Sequence, residues 1–343
     1  MDFQAPPPAP RVPAESWTYA SGRVAALEGA LLPREALERL AHADSPAAAA
    51  AALAESPLRG AAGEPRAPAA AAAAVALFYS AARAGLRADC PDPTAFALMD
   101  LPRRYRALKE RLRGALSGAG RGEAGADRLE EALGADRPEG PAGAALGLLA
   151  AALAADDRPE PALATDLLLD SARLLEALEL AARLGSPAVA AHVAGEVRAR
   201  SALVAWRTRL LAGKEGGDSA LARWLPRLFL RGELGRGLAA RLWATDFPAW
   251  PGLLAAELSA ALAGEAFGSG EEERLSGWER AAFNWLTARA REFRTCAFGA
   301  ERVYGYAWAL AVEERNVRLA LVGRLKGVAP EAIKALLWEP YGG

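Results

Sequence analysis

A chain of 343 residues that is 52% hydrophobic and 24% charged, with a formal net charge of −1, has the composition of a soluble globular protein of two or three modules. One Ile, 12 Val and 7 Thr, beside abundant Ala, Leu, Arg and Glu, are too few β-branched residues for a sheet, so the expected fold class is all-α. The near-neutral charge excludes the basic excess of a nucleic-acid binder, and two cysteines, Cys90 and Cys296, exclude a disulfide framework and point to a reducing cytoplasm.

Residues 1–16 begin with MDFQAPPPAPRVPA, a Pro-rich tail expected to be disordered or polyproline-like; it lacks the apolar segment of a secretory leader. WTYASGRVAALEGALL then predicts a first helix with Val24, Leu27 and Leu31 on one face. Pro33 stands where a second helix, REALERLAHA, can begin. In SPAAAAAALAESP, Ser45 is the N-cap of a third helix and Pro46 its first residue. Only 4 of 41 basic residues are Lys, so the Ala run 69–76 reads as GC-rich codon usage and an ordinary helix. Ala142–Ala155 is 14 residues long, too short to span a bilayer, and reads as a buried core helix. Glycine-rich breaks at 114–127 and 212–219 divide the chain into modules at 17–118, 119–216 and 217–343.

The stretch EERNVRLALVGRLKG, residues 313–327, reads as a helix with Glu313 and Asn316 on one face and a basic end closed by Gly327. The basic ending recurs as Arg111-Leu112-Arg113-Gly114 and, loosely, as Arg209 to Gly213, once per module. A glycine past a helix end and bases in the last turn have ordinary structural reasons, so the tail alone requires no function. The polar head is more distinctive: Asp100 and Arg103 stand in its place in the first copy, Arg198 and Ser201 in the second. Residues 101–113 carry six positive charges and one negative, and 196–214 carry five and one. Such helices are suited to an acidic partner or to anionic headgroups, or are solvated faces.

These residues resemble the C subunit of A-type and V-type ATPases, which is subunit d of the eukaryotic enzyme. TYASGRVAALEGALLPREALERLAHADS is similar to the family's opening, RWLPRLFLRGELGRGLAARLWATDFP to the start of its third module, and NVRLALVGRLKGVAPEAIKALLWEPY to its ending. The resemblance runs from Trp17 onward and is weakest in the middle module. It implies a three-lobed helical funnel with a pseudo-threefold repeat, sitting on the membrane rotor ring and receiving the foot of the central rotor shaft. The implied role is non-catalytic coupling during H+ or Na+ transport, at the cytoplasmic face of the membrane. Carried over residue by residue, Tyr19 and Arg23 match the opening, and Glu313, Asn316, Arg318 and Arg324 match the last repeat as the shaft socket. The second copy lacks both acid and Asn, and the first has Arg103 for Asn with Pro102 beside it as a helix disruptor. Asn316 is expected to face the funnel interior and to be satisfied by the shaft on assembly, while Val317, Leu321 and Leu325 pack on their own module.

No chemistry competes with this reading. His42 and His192 are the only histidines, no zinc spacing or HExxH is present, and no GxxxxGK[ST] loop exists, so neither metal nor cofactor is expected. The glycines of 118–125 follow no strand and read as a linker, and Cys296 reads as a core thiol. Asp156-Asp157-Arg158-Pro159-Glu160 lacks the second acidic cluster of a prenyl-transferring enzyme, and Glu271–Arg274 reads as the acidic start of a helix. The alternative is a helical-repeat scaffold for an unrelated protein partner; neighbouring genes for rotary-ATPase subunits would discriminate the two.

Overall fold

The computed structural model describes residues 12–53, 56–60, 68–116, 123–134, 138–154, 160–214, 241–242, 244–258 and 271–342. Among these the chain is helical and no strand occurs, so the fold class is all-α, as the scarcity of β-branched residues requires. A 3-10 turn at Ala14–Trp17 leads into α1 (Thr18–Glu28), followed by α2 (Arg34–His42), α3 (Pro46–Ala52), α4 (Pro68–Asp89) and α5 (Pro93–Leu116). Then come α6 (Glu123–Leu133), α7 (Gly140–Ala154), α8 (Pro161–Leu184), α9 (Pro187–Lys214) and α10 (Trp250–Leu258). The last are α11 (Glu271–Glu292), α12 (Ala300–Leu325) and α13 (Pro330–Leu336). The Pro-rich tail up to residue 11, the cluster 156–159 and most of 223–248 lie outside the described residues.

Local signals place several helices as the sequence indicates. Ser45 Oγ accepts the Ala48 N–H at 3.1 Å and caps α3. Pro33 is the N-cap residue of α2, extended at ψ 166° before the chain turns helical. The first helix ends earlier than expected, at Glu28, and Leu31 is buried in the turn beyond it. Pro102 does not disrupt a helix: α5 runs through it, because a proline forfeits one hydrogen bond that a 24-residue helix can spare. Gly114 likewise lies inside α5, so the glycine-closed ending expected for the first copy is absent there. Gly327 does close α12: its φ is +76°, and Val328 N–H reaches back to the Gly323 carbonyl at 2.9 Å.

The chain divides into two compact units. One contains Asp100–Arg183 and Val193–Ala266; the other contains Pro8–Met99, Leu184–His192 and Phe267–Gly343. The junctions fall within α5, α8 and α9 and before α11.

The second unit is organised around α12, which packs against α1, α2, α4, α11 and α13. Val303, Leu310, Val317 and Leu321 of α12 are buried there, as are Ala71, Val75, Tyr79 and Leu86 of α4. Among the described helices α4 alone is long and apolar enough to cross a membrane, and its opposite side leaves Leu77 exposed. In the first unit α6 packs on α7, whose Ala145, Leu146, Leu149 and Leu153 are buried while Leu148 is exposed.

Candidate functional site

The residues that carry the sequence motif meet in the middle of α12. Glu313 and Asn316 lie three apart and so share a face, and that face is turned inward: Glu313 is 7% exposed and Asn316 0%. Glu313 Oε2 accepts the Leu32 N–H at 2.5 Å, and its Oε1 accepts the Tyr79 hydroxyl at 2.8 Å. One carboxylate thus ties the turn after α1 and helix α4 to α12. Burial pushes the Glu313 carboxyl above its ordinary range, and the two donors pull it partly back. The same burial and the nearby carboxylate push the Tyr79 hydroxyl up strongly and the Tyr306 hydroxyl up to about 12. Glu314, the next residue, is paired with Arg83 of α4.

Both ends of the Asn316 amide are paired within the chain. Its Nδ2 donates to the Trp338 carbonyl at 2.9 Å, and its Oδ1 accepts the Trp338 N–H at 3.0 Å. An Asn in a dry core is tolerated when both ends of the amide are paired, and here the segment after α13 supplies both partners. That segment is held along its length. The Trp338 ring stacks on Phe283 with centroids 4.1 Å apart, and the Arg315 guanidinium lies 3.8 Å from the same centroid. Asn284 accepts the Glu339 N–H at 2.7 Å, Arg34 pairs with the Glu339 carboxylate, and Arg291 donates to the Pro340 carbonyl. Burial and the neighbouring Glu28 carboxylate push the Tyr341 hydroxyl up, against the opposing charge of Arg302, which pairs with Glu28 at 2.5 Å.

The proposed socket residues therefore separate. Expected to line an open interior, Glu313 and Asn316 are instead internal ties: the turn after α1 and Tyr79 of α4 hold the carboxylate, and the segment after α13 holds the amide. Arg324 is a tie as well: it donates to the Ala43 carbonyl at 3.0 Å and to the Val328 carbonyl at 2.8 Å. Arg23 pairs with Asp89 while part of its side chain stays exposed. Arg318 and Tyr19 are exposed, Tyr19 at 69%. Of the expected packing face, Val317 and Leu321 are buried and Leu325 is half-buried.

The copies are built differently. In the first, Asp100 is buried and accepts from Arg103 at 2.7 Å, a bond within one turn of α5. The basic side chains of α5 face the carboxylates of α8: Arg104 pairs with Glu176, Lys109 with Asp166 and Asp170, and Arg113 with Asp166. Tyr105 donates to Glu176 at 2.8 Å, and burial raises its hydroxyl further. A basic stripe that the sequence left as suited to an acidic partner or anionic headgroups, or as a solvated face, has Arg104, Lys109 and Arg113 matched within its own unit. In the second copy Ser201 is buried, and Arg200 joins Arg173 around Glu196.

Burial pushes the thiols of Cys90 and Cys296 up, away from the thiolate a nucleophile needs. His192 is buried with Nε2 3.0 Å from the Leu286 carbonyl and Nδ1 3.1 Å from the Tyr304 hydroxyl. Because a carbonyl only accepts, Nε2 carries a proton, and in the neutral ring Tyr304 donates to Nδ1. Among the described residues no three His, Cys, Asp or Glu side chains converge on a metal-sized position. Sequence reasoning missed the segment 336–342 as a structural partner; its one signal was the density of Trp, Tyr and Pro after a short helix. Compared with protein-family models and with curated proteins, the chain matches none.

Proposed function

We propose that the chain is a non-catalytic central-stalk subunit of an A/V-type rotary ATPase, a three-lobed funnel that joins the rotor shaft to the membrane ring. The observation that supports this most is that the opening and closing stretches of the three that carry the resemblance, some 280 residues apart, fold as one body. Glu313 reaches the turn between α1 and α2, and Arg324 reaches the end of α2. A coupling piece transmits torque only if its contact surfaces sit on a stiff support. A 26-residue helix packed on five neighbours and tied by buried hydrogen bonds is such a support.

With Glu313, Asn316 and Arg324 spent internally, partner contact falls to the exposed Tyr19 and Arg318, with Arg23 beside Tyr19 on α1. An exposed arginine offers charge-assisted hydrogen bonds to an acidic shaft without disturbing the fold that carries it. The test is purification of the tagged chain from membranes of its source organism in mild detergent. Recovery of shaft and ring subunits in stoichiometric amounts is expected, with loss of the shaft when Tyr19 and Arg318 are both replaced by Ala. Recovery of the chain free of both, or ATP hydrolysis by the chain alone, contradicts the proposal.

A further inference from the structure

We propose that the surface of the second unit beneath residues 336–342 is a peptide-binding groove, filled in the free chain by its own segment and able to take the same peptide in trans. The segment meets the rest of the unit as a ligand meets a receptor. Beyond Leu336 it has no regular secondary structure, and side chains of the helices read its main chain. Asn316 holds both the N–H and the C=O of Trp338, Asn284 accepts the Glu339 N–H, and Arg291 donates to the Pro340 carbonyl. Fixed side chains that pair with main-chain groups at successive residues give affinity, and pockets for alternate side chains give specificity.

Two such pockets are present. Trp338 lies on Phe283, nearly parallel at 1° between ring planes. Tyr341 lies against Gly305 of α12, where an added Cβ would stand 3.0 Å from its hydroxyl oxygen and crowd the ring. The groove does not depend on its occupant for its own assembly, since α12 packs on α1, α2, α4 and α11 directly. The ligand class follows: a short extended peptide with an aromatic, an acidic residue, a proline and a second aromatic in that order.

The test uses the full-length Trp338→Ala chain, in which the resident segment has lost its largest anchor, titrated with a fluorescein-labelled peptide of residues 335–342. Saturable binding to the variant is expected, weaker by about tenfold or more for the wild-type chain or for a peptide with Ala in the Trp position. A variant that keeps its helical content and does not bind the peptide overturns the proposal. Native-state hydrogen exchange on the wild-type chain tests it without any variant. The Trp338 and Glu339 amides are expected to exchange together, about tenfold or more ahead of the α12 amides. Exchange of those two amides only with α12 shows an integral part of the core and equally overturns it.

Discussion

Helices α12 and α5 carry the same order of residues, a polar head, an apolar middle and a basic tail near a glycine, yet each satisfies its polar groups by different means. In α12 the polar residues point inward and bond to main-chain groups of the turn after α1 and of the segment after α13. In α5 the buried Asp100 is paired within its own helix by Arg103, and the basic residues Arg104, Lys109 and Arg113 bond to side-chain carboxylates of α8. Buried bonds to backbone cannot be exchanged for water without leaving groups unsatisfied, whereas half-exposed ion pairs can. One sequence pattern therefore yields a structural tie in one place and a solvated seam in the other.

The comparison is broken most severely by opening a cavity beside the tie. Leu321→Ala is expected to cost about 2–5 kcal/mol, read as a shift of the urea midpoint, because a fully packed α12 cannot collapse into the space. A cost under about 0.5 kcal/mol contradicts the packing described for α12.

A pH series sharpens the buried half. The carboxyl of Glu313 titrates above its ordinary 4.5 in the folded chain, so the native state holds this proton more tightly than the unfolded state does. Its contribution to stability is therefore full below about pH 4.5 and is lost as pH rises through the raised native value. Glu313→Gln cannot ionise, so its stability curve should lack that fall when the two proteins are compared from pH 4 to 8 by urea denaturation. Parallel curves over this range contradict a raised Glu313.

The seam of α5 and α8 should give the smallest effect. Arg113→Ala is expected to cost under about 1 kcal/mol, given a side chain 49% exposed, and the cost should shrink further in high salt. A loss of several kcal/mol that persists in 1 M salt would place this seam in the same class as the α12 tie.

Much of the fold was legible because its signals are local. The shortage of Ile, Val and Thr gave the helical class, Ser45 with Pro46 gave the start of α3, and Gly327 gave the end of α12. The site was legible only as a set of polar residues on a helix. Whether Asn316 meets another protein or its own chain depends on Trp338, 22 residues further on, and helical periodicity says nothing about such a partner. The same limit hid the α8 carboxylates that match the α5 bases, because charge counted over one helix ignores the neighbour it packs against. Pro102 misled for a related reason: a breaker in a short window is tolerated in a long helix.

The account turns on whether Asn316 belongs to the fold or to a partner. The direct measurement is the chemical stability of the free chain carrying Asn316→Ala, set beside Arg318→Ala. The first replacement strands the N–H and C=O of Trp338, each worth about 1–3 kcal/mol when buried and unpaired, so a loss of roughly 2–5 kcal/mol is expected. The second removes an exposed side chain and should change stability by less than about 0.5 kcal/mol. Equal and negligible effects from the two replacements, with rotor-shaft binding abolished by Asn316→Ala, contradict the internal tie and return Asn316 to an open socket.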